Sequence, residues 1–459
     1  MSESLTKKGN IKTSFLGEKD ADINFTRIGK ASFVIAIFTA LGGLVGIVRE
    51  AVIAQYFGVT DSTDAYFIAI NIILALVGLI SGTATAVIIP AYIDAKIKLD
   101  VQKGEELFDT FLMIMTLLCV LAALLVASLA PYYIPLLVSG FNEEKTSLTI
   151  FLLWWTAPLI FLNGVISLWN GYLNSHYKFA VVAFLPVVVS ITVIIWVYMG
   201  QPQLGVTSIA IGLVTGTLVQ GILLYSYIFS RFRNPIKVCI NFKDPLVFNS
   251  IAQFGFLISG AVFSRINVLI DQAMASWLSP GSVSALGFGG RVINWISEII
   301  GFAVATAFLP VLSAQISKNN YSTIQALLMK ALKLSVQTLI PLTILLYFSS
   351  TLMTTLIYER GAFDAEATRI VAGVIRFYSF QLFFLTVGMI GVRVLNAAQR
   401  NDLIMKIAFA SVFVHIIGNV ILMKWLGVAG IALSTSLTYV FTSTAIYYYL
   451  YRLGFLRFK

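Results

Sequence analysis

Gly205-Val206-Thr207-Ser208-Ile209-Ala210 returns late in the chain as Gly427-Val428-Ala429-Gly430-Ile431-Ala432, an offset of 222. Leu173-Asn174 returns as Leu395-Asn396 at the same offset. Asp64-Ala65 stands 26 residues before Pro90, and Ser284-Ala285 stands 26 before Pro310, with Ala84-Thr85-Ala86 and Ala305-Thr306-Ala307 ahead of each proline. Matches in one order at nearly one spacing mark a duplicated chain. Two similar halves that face each other leave a cleft between them, and such clefts are where membrane transporters hold their substrates.

The 459 residues are 58% hydrophobic and 11% charged, with a mean hydropathy of +0.90, a balance that a water-exposed surface could not sustain. Apolar stretches of roughly the 20 residues needed to cross a bilayer recur throughout. They predict an all-α polytopic membrane protein with helices near 31–57, 64–92, 107–131, 148–174, 179–199, 205–230, 247–278, 284–316, 322–348, 366–396, 403–424 and 427–451. Lys and Arg gather on alternate joints: Lys7 to Lys30, Lys96 to Lys103, Lys178, Arg231 to Lys243, Lys318, Arg400, Lys406 and Arg452 to Lys459. The opposite joints hold Lys145, Arg360 and Lys424. Positive residues stay on the cytoplasmic side, so both termini are expected there and the net charge of +10 is mostly a topology signal. Basic residues spread over many joints do not make a nucleic-acid surface.

This reading divides the chain into a polar cytoplasmic tail (1–30), a six-helix lobe (31–230), a linker (231–246), a second six-helix lobe (247–451) and a basic tail (452–459). Six is even, so the halves enter the membrane in the same direction, related by an axis along its normal. The tail lacks the apolar core and small-residue cleavage site of a signal peptide. Cys119 and Cys239 imply no disulfide or metal site, and His176 and His415 are read as solvated or locally bonded. No catalytic constellation, phosphate-cradling glycine loop or cofactor site appears. Transport is expected to draw on a gradient.

Charges at membrane depth are costly and usually face a cavity or a partner. The candidates are Arg49 and Glu50 in the first helix, Arg265 and Asp271 in the seventh, Arg291 and Glu298 in the eighth, and Arg376 and Arg393 in the tenth. If the seventh and eighth helices form a simple antiparallel hairpin, Arg265 lies at the depth of Glu298 and Asp271 at that of Arg291. Each could be an interhelical ion pair, or a pair that opens when an anion or a coupling cation competes for it. Arg49 has no acidic match in the second helix and is left to a ligand, to Glu50 or to another helix. Arg suits phosphate because its planar fork donates two hydrogen bonds and stays charged, so Arg49, Arg291, Arg376 and Arg393 are the expected diphosphate- or sugar-binding residues. Asp64 reads as an N-cap of the second helix, with a coupling or gating role as the alternative.

Arg49-Glu50-x-x-x-Ala54-x-x-Phe57-Gly58 followed by Thr63-Asp64-Ala65-Tyr66-Phe67 resembles the start of the MurJ/MviN lipid II flippases. Ile266-Asn267-x-Leu269-Ile270-Asp271, Gly281-Ser282-Val283-Ser284-Ala285-Leu286 with Arg291, Leu309-Pro310-x-Leu312-Ser313 and Tyr358-x-Arg360-Gly361-x-Phe363 resemble later parts of the same family. The resemblance implies the multidrug/oligosaccharidyl-lipid/polysaccharide exporter superfamily and alternating access between two six-helix lobes. It implies that Arg49 and Arg291 engage a lipid-linked diphosphate, with membrane lipid and the cell-envelope synthesis machinery as partners and the bacterial cytoplasmic membrane as location. Departures accompany it: Gly43 stands where the family usually has an arginine, Leu76-Val77 replaces paired arginines, and Gly290 replaces an acidic residue. About twelve helices are expected, against the fourteen common in the family. The expected cargo is an undecaprenyl-diphosphate-linked saccharide, lipid II foremost. An exopolysaccharide or O-antigen repeat unit is the alternative, ahead of a cation-coupled drug exporter. A membrane glycosyltransferase would need acidic or metal-binding loops; a non-transporting scaffold is the remaining class.

Overall fold

Hydrocarbon offers no partner to a free backbone N–H or C=O, so apolar stretches of this length cross it as helices. The computed structural model describes residues 38, 40–232, 245–317 and 321–456, with some side chains of 252–264 and 301–321 left aside. The described elements are α1 (Ala40–Phe57), α2 (Asp61–Lys98), α3 (Val101–Leu137), α4 (Glu143–Thr156), α5 (Pro158–Ser175), α6 (Phe179–Phe184), α7 (Pro186–Leu204) and α8 (Thr207–Arg231) in the first half. The second half holds α9 (Pro245–Ala275), α10 (Ser282–Ser317), α11 (Tyr321–Tyr358), α12 (Ala365–Tyr378), α13 (Gln381–Ala397), α14 (Asn401–Leu426) and α15 (Val428–Arg452). Among the described residues 10 spans are long and apolar enough to cross a membrane, counting α4–α5, α6–α7 and α12–α13 as single spans. With α9 and α10, of 31 and 36 residues, the fold is an all-α membrane bundle of about twelve crossings. The expected tail 1–30, most of the expected linker including Cys239, and Arg457 to Lys459 lie outside the described residues.

Three expected helices are bent. The break between α4 and α5 precedes Pro158 and that between α6 and α7 precedes Pro186, because proline lacks an N–H and its ring crowds the carbonyl four residues back. The third, between α12 and α13, has no proline. There the Ser379 carbonyl accepts a hydrogen bond from Thr343 Oγ1 of α11 at 3.3 Å, and its hydroxyl donates to Arg376 O.

The duplication is written into the backbone as well as the sequence. Asn142 caps α4 by accepting from Lys145 N at 2.9 Å, and Asp364, at the same offset of 222, caps α12 by accepting from Ala367 N at 2.8 Å. Gly205 and Gly427, the first residues of the opening motif, have φ of +54 and +58 and ψ of −139 and −136. That region crowds a Cβ, so each inter-helix corner requires glycine.

At one end the two halves meet through backbone. Ala362 N–H donates to Gln55 O at 2.8 Å, and a Cβ on Gly361 would lie 2.4 Å from that oxygen. On the related side, a Cβ on Gly140 would lie 2.1 Å from Ser276 O, while Trp277 Nε1 donates to Ser139 Oγ at 3.0 Å. Residues 140 and 362 are counterparts at 222 and residues 55 and 276 at 221, so one closure is made twice. Beneath it Phe67 of α2 stacks edge-on against Phe288 of α10 at 5.1 Å, and Phe288 packs with Tyr358 and Phe363. Gly287 makes room for the Phe67 ring, which would meet a Cβ there at 2.5 Å. These rings desolvate the junction and exclude water from it.

Gly140→Ala is expected to hold this end apart. Disulfide formation between Ser139→Cys and Trp277→Cys should fall severalfold in that background, and an undiminished yield would show that the closure does not depend on the glycine.

Candidate functional site

Asp64 is the first residue whose place differs from expectation. Thr60 caps α2, its hydroxyl accepting from Thr63 N and its N–H donating to Thr63 Oγ1. Asp64, one turn in and 1% exposed, is left free to reach across to the second half. Its Oδ2 accepts from Gly281 N at 2.8 Å and its Oδ1 from Ser284 N at 2.6 Å, so it caps the start of α10 instead of its own helix. A carboxylate suits that end because the first N–H groups of a helix lack partners and carry its positive pole. Lys145 of α4, 8% exposed, completes the cluster: its Nζ lies 2.7 Å from Asp64 Oδ2, 2.5 Å from Asp61 Oδ1 and 4.0 Å from the Phe141 ring centroid.

Below the closure a cavity of about 680 Å³ opens among α1, α2, α5, α7, α8 and α10. It runs from Arg49 and Tyr66 toward Ser81, fifteen residues down α2, or about 20 Å. Its charges come from two helices, Arg49 on α1 and Arg291 and Glu298 on α10. Glu50, 2% exposed, ties those helices together: its Oε1 accepts from Arg49 Nη2 at 2.6 Å and lies 3.6 Å from Arg291 Nε. Arg49 Nε and Glu50 Oε2 are buried with no hydrogen-bond partner in the protein. The arginines therefore keep donor capacity for a ligand while one carboxylate holds both in place.

A second chamber of about 150 Å³ lies on the other side of Arg291, lined by Asp271, Gln272, Asn294, Gln381, Thr435 and Tyr439 among others. Asp271 and Arg291 both face it, yet Asp271 is bonded elsewhere. Its Oδ1 meets His415 Nε2 at 2.6 Å and accepts from Asn419 Nδ2 at 2.8 Å, while its Oδ2 accepts from Thr435 Oγ1 at 3.0 Å. His415 Nδ1 lies 3.0 Å from Thr438 Oγ1, whose hydroxyl donates to Ser434 O. Both ring nitrogens thus face oxygen, and His415 is fully buried instead of solvated. His176 is bonded locally, Nδ1 to Tyr172 O at 2.9 Å.

The paired depths of the hairpin do not become contacts. Arg291 turns to Glu50 and Asp271 to α14 and α15, and among the described residues no ion pair joins Arg265 to Glu298. The reason is lateral packing: α9 lies mainly against α2 and α14, and only marginally against α10. Arg265 instead reaches α2, its guanidinium 3.0 Å from where a Cβ on Gly78 would sit. Arg376 lines neither chamber; it faces α11, with Nε 3.4 Å from Ser350 Oγ and its guanidinium 5.5 Å from the Tyr347 ring centroid. Arg393 is exposed and also lines neither. Sequence reading did not single out His415, Asn419 and Lys145, which the structure brings to Asp271 and Asp64. The first two carry one usable signal, polar side chains four apart in an otherwise apolar helix, which places them on one face.

A family model described as lipid II flippase MurJ matches residues 53–458. The probable lipid II flippase MurJ of Rickettsia prowazekii is 25% identical over 424 residues, covering 92% of this chain and 83% of its own. The lipid II flippase MurJ of Burkholderia cenocepacia is 25% identical over 423 residues, covering 88% and 80%. Among solved structures, lipid II flippase MurJ in an inward closed conformation shares the fold with a TM-score of 0.78 at 24% identity, over 93% of this chain and 88% of that one. An inward-facing multidrug resistance MATE transporter of the MOP superfamily matches with a TM-score of 0.72 at 13% identity, over 92% and 98%.

Replacing Asp64 by Ala leaves Lys145 with Asp61 alone and replacing Lys145 by Met leaves Asp64 with backbone N–H groups alone, whereas the double replacement removes both buried charges. A double-mutant cycle read from thermal melting is expected to show a coupling of about 2 kcal/mol. Additive effects would mean that the pair contributes nothing to the closed end.

Proposed function

Since the chain belongs to the lipid II flippase MurJ family, we propose that it carries an undecaprenyl-diphosphate-linked saccharide, lipid II foremost, across the bacterial cytoplasmic membrane by alternating access. The observation that carries this reading is the shared Glu50, which holds Arg49 and Arg291 side by side at the closed end of a 680 Å³ cavity with donor capacity to spare. A diphosphate would draw both guanidiniums away from Glu50 and release the tie between α1 and α10. The positive-inside bias puts the glycine-lined closure at the outer face and both termini in the cytoplasm, so the described state receives cargo from the inner leaflet. Residues 31–230 and 247–451 act as two lobes that rock about the Asp64 junction. Separation at that junction would open the cavity outward. No step makes or breaks a covalent bond; the chain is a transporter.

Asp271 with His415 forms the coupling element in this scheme. A buried carboxylate and imidazole at membrane depth can exchange a proton or accept a cation, and Arg291 borders both this chamber and the cargo cavity. Asp271→Asn is expected to leave headgroup binding within twofold while transport in proteoliposomes stops. Unchanged transport would remove Asp271 from the coupling role.

One observation favours the second reading, an exopolysaccharide or O-antigen repeat-unit flippase. The cavity holds few cations: Gly43 is packed by Trp295, whose Nε1 lies 1.7 Å from the position of a Cβ, and Leu74 and Val77 line the α2 wall. Depleting a host's lipid II flippase separates the two. Rescue of growth by this chain, lost in Arg49→Ala or Arg291→Ala and partly kept in Arg291→Lys, is the expected result. Failure to rescue, with loss of surface polysaccharide when the native gene is deleted, would transfer the function to the second reading.

A further inference from the structure

The cavity wall opposite the arginines is polar without being charged. It is built by α5, α7 and α8, with Ser81 of α2 toward its far end. Asn163 and Asn170 lie seven residues apart on α5, with Ser167 between them, so all three share one face. Thr217 and Gln220 stand on the facing side of α8 and Ser190 on α7. Polar residues inside a membrane bundle usually serve a neighbour or a cavity, and these divide cleanly by that criterion. Thr217 Oγ1 donates to Leu213 O at 2.7 Å, Ser167 Oγ to Gly164 O at 2.7 Å and Asn163 Nδ2 to Leu159 O at 2.9 Å, all within their own helices.

The remaining four make no side-chain hydrogen bond among the described residues. Asn170 Oδ1 and Ser81 Oγ are buried and unpartnered, and Gln220 and Ser190 are only 6% and 5% exposed while lining the cavity. Helix packing does not require them, since small or apolar residues pack as closely in a bundle. A carboxamide offers an acceptor and two donors in one plane, the complement of adjacent sugar hydroxyls or an acetamido group. The wall carries no cation for a carboxylate and no carboxylate for an amine.

We infer that this wall is a saccharide subsite, in which Asn170, Gln220, Ser81 and Ser190 hold the uncharged hydroxyl and acetamido groups of the cargo's sugar. It rests on the reading of the chain as a lipid-linked saccharide carrier and adds a division of labour to it. The arginine edge at α1 and α10 takes the diphosphate, and the wall of α5, α7 and α8 selects the sugar. Because recognition is uncharged, sugar preference is insensitive to salt, whereas diphosphate binding weakens as salt rises.

The test compares two probes on the full chain in nanodiscs: farnesyl diphosphate, and farnesyl diphosphate bearing an N-acetylglucosamine disaccharide. The wild type should bind the glycosylated probe more tightly. Asn170→Leu combined with Gln220→Leu should cost that probe about tenfold, the loss of a few hydrogen bonds, and leave the bare diphosphate within twofold. Gln220→Met, near in volume, should give a smaller loss in the same direction and serves where the double variant does not melt cooperatively. Equal affinity of the wild type for both probes, or variants that keep the full preference, would overturn the subsite. Arg291→Ala binding both probes like the wild type would instead overturn the diphosphate role and leave the subsite standing.

Discussion

The Asp64 carboxylate is buried where the two halves of the chain touch, and its oxygens are shared by Lys145 and by the first N–H groups of α10. Burying a charge is tolerable only where partners replace its water, and here they come from both halves. The junction is therefore cheap when closed and costly when only one partner leaves. Asp64 and Ser284 are also counterparts in the duplicated sequence, so the contact lies where the halves exchange places. With that end held shut by glycine against backbone, the helices diverge below it. The cavity between them follows from that constraint.

Within the cavity the duplication survives in shape and not in chemistry. Matching caps, matching corners and a closure made twice come from both copies. The charged groups do not match: the first half contributes Arg49 and Glu50, and the second contributes Arg291, Glu298 and the Asp271–His415 cluster. Glu50 and Arg291 meet across the divide, so occupancy of the cavity and the approach of α1 to α10 are linked through one ion cluster. Such a group suits an alternating-access machine because a ligand that competes for it changes the relative stability of the two states.

Most of the bundle was legible in the residues. Apolar length set the crossings, while the bends before Pro158 and Pro186 and the corners at Gly205 and Gly427 carry a local residue mark that the sequence reading passed over. The third bend, at Ser379, depends on Thr343 of another helix and left no local mark. The site was legible in part. Arg49, Glu50 and Arg291 converge, whereas Arg376 and Arg393, which the sequence also sets within a membrane helix, line neither chamber.

By itself, the sequence determined that this chain is helical, crosses the membrane many times and is built from two related halves. Those properties reside in composition and in the spacing of residues along one strand of covalent chain. Only the tertiary structure decided that Asp64 caps α10 and not α2, that Asp271 bonds His415 and not Arg291, and that an uncharged wall faces the arginines. Each of these depends on which helices lie side by side. Depth along a helix is fixed by counting residues, but lateral neighbours are chosen by packing across hundreds of positions, and no local pattern records that choice.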